Sequence, residues 1–514
     1  MSQEATTPAP FSTPQLVIAT LALALATFMQ VLDTTIANVS IPAIAGDLGV
    51  TPNQGTWVIT AFAAANAIFM PLTGWLAKRF GEVHLFVLST FLFSLVSWLC
   101  GLSPDYNVLI GARILQGIVA APMMSLSQSL LLSIYPKHKQ GLALAFWAMT
   151  ATVGPIVGPL LGGYITDNFS WSWIFYINVP IGFLSAFVVW SMLKSRETTI
   201  LKLPIDFTGL ALLIVGVASL QIMLDKGNNL DWFNSPTIII LAITAVVTLS
   251  IFIVWEIFDE HPVVDLTLFS NRNFSVGTIA ISLGYTIFLG GGVIFPLWLQ
   301  TQLDYSAFWA GFASAGVGVF AFLLSPIVGS NLHRLNLRVI VSISFMIFAA
   351  SYYWMAQFTV NITLMDAFLP RLLMGAGMAM FFVPLTSIII SEIAITRVAS
   401  AMGLVNFLRI LGGSFGTSIA TTMWERQGDI HHAVYSENIT RFSHATQEFI
   451  DSMHHLGIAA LPAINHIINK QASTRANDDI LLISSYISIA LILLIWFAKP
   501  PFISKKPKIV VLEE

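Results

Sequence analysis

Apolar runs of similar length, broken by short polar turns, follow one another along almost the whole chain. About 20 mostly apolar residues suffice for a helix to cross a bilayer. Fourteen such runs can be placed, beginning near residues 16, 55, 84, 108, 141, 174, 207, 236, 275, 309, 338, 364, 399 and 480. The pattern predicts an all-α polytopic membrane protein with fourteen transmembrane helices. No basic n-region precedes Leu16, so the first run is expected to stay as a helix rather than to be cleaved as a signal peptide.

Composition strengthens this reading. The 514 residues are 56% hydrophobic and 10% charged, whereas a soluble domain carries about 25% charge. Lys and Arg collect in cytoplasmic loops. With an inside N-terminus, alternate loops and the C-terminal tail hold Lys78, Arg79, Lys137, Lys139, Lys194, Arg196, Lys202, Arg272, Arg334, Arg338, Arg397, Lys499, Lys505, Lys506 and Lys508, and the short outer loops hold Lys226. Both termini are therefore expected in the cytoplasm. The single Cys100 excludes an intramolecular disulfide framework.

The chain also repeats itself. Pro71-x-x-Gly74-x-x-x-x-Arg79 recurs as Pro326-x-x-Gly329-x-x-x-x-Arg334, an offset of 255, and Arg113-Ile-Leu-Gln-Gly117 recurs as Arg371-Leu-Leu-Met-Gly375, an offset of 258. Transporters are commonly built from related bundles with the site between them. The offsets predict a six-helix bundle over 1–200, an inserted transmembrane hairpin over 201–270, and a second six-helix bundle over 271–514. The second bundle includes a longer segment, 425–479, expected on the outer side. Six of the ten histidines lie in that segment, at His431, His432, His444, His454, His455 and His466, among apolar positions at helical spacing that suit a docking surface. They lack a tight ligand spacing, so no metal site is expected.

Chemistry inside a membrane starts with charge, because an intramembrane acid is expensive unless paired, protonated or wetted. Asp33, within Leu32 to Pro42, is such an acid. Arg113, Arg371 and Arg409 also fall in apolar runs. Arg113 is the natural partner of Asp33, and parting the pair would switch its proton affinity; the competing reading is a polar contact that only packs helices. Arg371, beside Asp366, reads as interfacial. Arg409 has no carboxylate near it in sequence, which leaves room for a substrate anion. Asn38, Gln116, Gln128, Trp147, Tyr285, Phe381, Phe382 and Arg409 are the candidate lining residues, chosen for polarity or aromatic character within spans. Gly154, Pro155, Gly158, Pro159, Gly162 and Gly163 mark the fifth span as a deformable gate helix or a static kinked one. The loop carrying Gly74, Lys78 and Arg79 could hold the inner side closed by bonding helix carbonyls. No phosphate loop is present, so transport would draw on an ion gradient.

Several of these segments together resemble the major facilitator superfamily, in its fourteen-span drug/proton antiporter branch of the EmrB type. Leu32-Asp33-x-Thr35-Ile36-x-Asn38-Val39-x-x-Pro42, Arg113-x-x-Gln116-Gly117, the Gly154 to Gly163 run and Trp171 to Gly182 carry the likeness, which covers essentially the whole chain. It implies export of hydrophobic toxic compounds, weak acids or fatty acids among them, by proton antiport from the inner membrane. It further implies an EmrA-type periplasmic adaptor and a TolC-like outer-membrane channel, with no cofactor and no enzymatic reaction. FarB-like fatty-acid exporters are close relatives. One departure stands out: Lys78 occupies the position of an acidic residue in the superfamily's loop motif, and Glu82 and Val83 replace a basic pair, so that charge relay cannot be carried over. A proton-coupled importer of a nutrient or lipid would use the same fold and carboxylate, and the direction of flux separates the two. A transport-incompetent scaffold would instead rely on 425–479.

Overall fold

The computed structural model describes residues 11–136, 139–201, 204, 206–259, 262–437, 439–440, 443–455 and 460–502. Lys137, Lys202, Lys505, Lys506 and Lys508 of the charge pattern lie outside them, as do the side chains of Pro155, Pro159, His454 and His455. The described residues form helices and no strand. In order these are α1 (Thr13–Asp47), α2 (Pro52–Gly55), α3 (Trp57–Phe69), α4 (Thr73–Phe80), α5 (Glu82–Gly101), α6 (Tyr106–Ile134), α7 (Gln140–Asn168), α8 (Trp173–Tyr176) and α9 (Asn178–Leu193). They continue as α10 (Phe207–Lys226), α11 (Pro236–Phe258), α12 (Arg272–Gln302), α13 (Ala307–Asn331), α14 (Leu337–Met355), α15 (Leu364–Ile389), α16 (Val398–Glu437), α17 (His444–His455) and α18 (Ala460–Ile495).

Among the described residues twelve helices are long and apolar enough to cross a membrane, thirteen if the pair α3 and α4, bent by 63° around Pro71, is counted as one span. The 29-residue α7 lies against α1 and α13. Local chemistry sets the helix ends. Asp105 accepts from the backbone amides of Asn107 and Val108 at the start of α6, and Thr363 and Asp366 close a reciprocal capping box at the start of α15. That box occupies Asp366, so it does not pair with Arg371. Arg371 is buried, donates to the Gly291 carbonyl at 3.0 Å and stacks over Phe295, which places it inside the packed bundle rather than at an interface.

The sequence repeats occupy matching places. A Cβ on Gly117 of α6 would strike the Phe62 carbonyl of α3, and one on Gly375 of α15 would strike the Val317 carbonyl of α13, 255 residues after Phe62. Gly291, whose carbonyl holds Arg371, lies 258 residues after Asp33. The second repeat thus keeps the arginine and has glycine where the first has the acid.

Helices from the two halves of the chain meet at the end of the bundle that holds the start of α1 and the end of α18. There α4 abuts α16 so closely that a Cβ on Gly74 would overlap Ser400, and α7 abuts α13 at Gly141 and Gly329. Asn406 of α16 donates to Gln128 and Ser125 of α6, at 2.9 and 3.2 Å. Toward the opposite end α10 touches both halves: Asp225 accepts from Thr60 of α3, and Gln221 donates to Ser414 of α16. Its companion α11 leaves most of one apolar face exposed, including Ile240, Ile243, Val246 and Val254.

The last spans run further than hydropathy suggests. α18 begins at Ala460, well before the expected start near residue 480, and α16 continues to Glu437. The polar stretch between them marks departure from the apolar layer without ending either helix. Trp424 donates to the Ser473 carbonyl at 2.9 Å, and His431 pairs with Asp479 at 2.7 Å, so the two extensions brace each other.

Candidate functional site

Asp33 projects from α1 into a fully enclosed polar cluster. Arg113 of α6 donates through Nη1 to Asp33 Oδ2 at 2.6 Å, and both side chains are at zero exposure. The other carboxylate oxygen accepts from Asn178 Nδ2 at 2.9 Å and from Gln116 Nε2 at 3.2 Å. Ser97 Oγ of α5 accepts from the same two amides, at 3.0 and 3.2 Å, and donates to the Phe175 carbonyl. The guanidinium is further held by Nε donating to the Val58 carbonyl at 2.8 Å, by Nη1 donating to Gln116 Oε1 at 2.7 Å, and by the Phe62 ring 4.4 Å from its Cζ. Residues of α1, α3, α5, α6, α8 and α9 therefore fix one ion pair, satisfying the carboxylate as an acceptor from three donors.

Two atoms in this cluster have no partner: Arg113 Nη2 and Asn178 Oδ1. The second matters chemically. An ionised Asp33 needs donors and has three; a protonated Asp33 must itself donate, and Asn178 offers a free acceptor on the same amide that now donates. Asn178 can serve both protonation states by turning its amide. Sequence reasoning missed Asn178 and Ser97 as site residues. The signal for Asn178 was its polar side chain at the head of an apolar run, within the Trp171 to Gly182 segment.

The helix carrying Asp33 lies against α7 through glycines. A Cβ on Gly154, Gly158 or Gly162 would meet Val31, Thr35 or Ile36 of α1, whereas one on Gly163 would meet nothing within 4 Å. Three of the four glycines thus set the α1–α7 distance on either side of the acid, as small residues do between membrane helices.

The remaining expected residues fall into separate places. Trp147, Tyr285, Phe382 and Arg409 come together: the Arg409 Cζ lies 5.7, 5.0 and 5.4 Å from the three ring centroids. Its Nη2 reaches the Met124 sulfur at 2.9 Å. Gln128 takes part in the Asn406 contact between halves, and Asn38 is exposed beyond Asp33 on α1. Phe381 instead packs inside the second half, against Phe345 and Phe348. Lys78 and Arg79 lie in the last turn of α4, with Arg79 over the Trp75 ring.

Residues 23–417 match the description of the Major Facilitator Superfamily. The chain is 50% identical over 491 residues to the multidrug export protein EmrB of Haemophilus influenzae, covering 95% of this chain and 96% of that protein. It is 48% identical over 486 residues to the fatty acid resistance protein FarB of Neisseria gonorrhoeae, covering 94% and 96%. Among solved structures, the human organic anion transporter MFSD10 (TETRAN) superposes with a TM-score of 0.59 at 13% identity, over 93% of this chain and 100% of that one, a likeness of fold.

Proposed function

The chain belongs to the major facilitator superfamily, as a multi-pass integral membrane protein, and from that premise we propose that it is a proton-coupled efflux antiporter for hydrophobic toxic compounds, fatty acids among them. The observation that carries the coupling is the Asp33–Arg113 pair, buried at 2.6 Å with a satisfied acceptor set and an amide able to serve the protonated form. In this reading Asp33 alternates between charged and protonated states as the halves rock, and protonation frees Arg113 and loosens the junction of α1 with α6 and α9. The α1–α7 glycine seam lets the two helices slide without leaving contact.

The architecture of the proposal is fourteen spans, with α7 among them: bundles over 1–200 and 271–514 and the α10–α11 hairpin inserted over 201–270. Both termini lie in the cytoplasm, and the membrane is the bacterial inner membrane. The end closed by Gly74 against Ser400 is then the cytoplasmic one, so the substrate path is shut on that side. Near-full-length likeness to EmrB supports assembly with an EmrA-type adaptor, seated on 425–479, and with a TolC-like channel.

The test is substrate-induced proton release from protein reconstituted in liposomes, comparing the parent with Asp33→Asn after equal folding and insertion are verified. Release by the parent and none by the variant is the expected outcome. Equal release by both would place the proton elsewhere.

A further inference from the structure

Among the described residues three guanidiniums are buried, and they are held differently. Arg113 has a carboxylate, and Arg371 has a backbone carbonyl. Arg409, 3% exposed, has no oxygen partner among the described residues, and its Nε bonds to nothing. Its neighbours are three aromatic faces and one thioether. Ring faces and sulfur soften the charge without neutralising it. A planar fork of donors left without an oxygen acceptor among the described residues is the shape that takes a carboxylate through two parallel hydrogen bonds.

Position adds a second argument. Arg409 belongs to α16, as does Asn406 one turn earlier, and Tyr285 and Phe382 come from the same half. Met124 and Trp147 come from α6 and α7 of the other half, and Trp147 is fixed by donating to Ser127, which also accepts from Thr27 on the Asp33 helix. In this closed arrangement Met124 and Trp147 cover the guanidinium. Separation of the halves at the end closed by Gly74 and Ser400 would carry those two residues away and open one side of it.

We propose that Arg409 anchors the carboxylate of an anionic amphiphile while the Gly74–Ser400 end is open, with its acyl chain against Tyr285 and Phe382, and that closure of Met124 and Trp147 displaces the ligand from the anchor. This deepens the efflux reading and rests on it. Anionic amphiphiles are the favoured class, and cations of the same length are disfavoured by the bare positive charge.

The test uses the full chain in nanodiscs and calorimetric titration with laurate and with dodecyltrimethylammonium. The parent is expected to bind laurate at least tenfold more tightly than the cation. Arg409→Gln is expected to lose at least tenfold for laurate and nothing for the cation, with Arg409→Lys between. Equal binding of the two amphiphiles by the parent, a result that needs no variant, overturns the proposal, as does an equal loss for both in Arg409→Gln. For the gating, a cysteine at Asn406 is expected to react with a soluble maleimide severalfold faster once laurate is added; an unchanged rate overturns that part. Proton release that persists in Asp33→Asn defeats the coupling reading and leaves the Arg409 result standing, so the two fail separately.

Discussion

Replacing Asp33 with asparagine keeps the shape of the side chain and removes its charge, and the three groups bonded to it all donate. Arg113 Nη1, Asn178 Nδ2 and Gln116 Nε2 stand at 2.6, 2.9 and 3.2 Å. An amide has one oxygen to offer them, so its NH2 is met only if Asn178 turns its free acceptor inward, and either way Arg113 keeps a full charge at zero exposure. At 2.6 Å and an effective dielectric of about 20 the lost attraction is about 6 kcal/mol. Desolvation offsets part of this, and removing one partner of a buried pair costs about 3–5 kcal/mol. We expect Asp33→Asn and Arg113→Gln each to destabilise by that amount, measured by denaturant unfolding in micelles followed by tryptophan fluorescence. The double variant, with no charge left unpaired, is expected to cost less than the sum of the singles by at least about 1 kcal/mol, while proton release in liposomes stays absent. Additive losses, or a single variant as stable as the parent, would refute the view that these charges hold each other.

Other positions give independent checks. Gly158→Val should drive a side chain into Thr35, costing about 1–3 kcal/mol and most of the efflux in a cell-based accumulation assay, while Gly163→Ala, which meets open space, should change stability by less than about 0.5 kcal/mol. Gly74→Leu should force α4 away from Ser400 and raise the maleimide reactivity of a cysteine at Asn406 at least tenfold, a shift of about 1.4 kcal/mol toward the open state; no change would mean the halves are not held there. Excising 430–475 and joining α16 to α18 directly is expected to preserve flux in liposomes and lower resistance in cells, and loss of both from a folded variant would make the extensions part of the transport core.

Much of this was legible in the chain, for reasons that differ by residue. Asp33 and Arg113 could be paired on paper because each is a charge far from water and few other groups could satisfy it. The repeat offsets foretold the equivalent seats of Gly117 and Gly375, since both are close approaches that only glycine allows. Asn178 and Ser97 could not be placed on the acid, because what brings them there is the crossing of α5 and α9 over α1, a tertiary fact. Arg371 was misread because its sequence neighbour Asp366 looked like a counter-ion, when the start of α15 uses that acid as a cap. The early start of α18 was hidden by its polarity: hydropathy reports where a helix meets lipid, and a helix that continues into water gives no such signal.

The 40-residue α16 is about 60 Å long at 1.5 Å per residue, about twice the hydrocarbon thickness of a bilayer. It is continuous from the Gly74 contact, past Arg409, to its tip at Glu437, and α18 runs beside its outer part. Such a rod is a lever. If a bundle tilts by about 10°, a point some 30 Å beyond the pivot sweeps about 5 Å, close to the 5.4 Å pitch of one helical turn. In the proposed cycle the state of a gate at one face of the membrane would thereby be written as a displacement beyond the other face, by mechanics alone and without a second chemical signal.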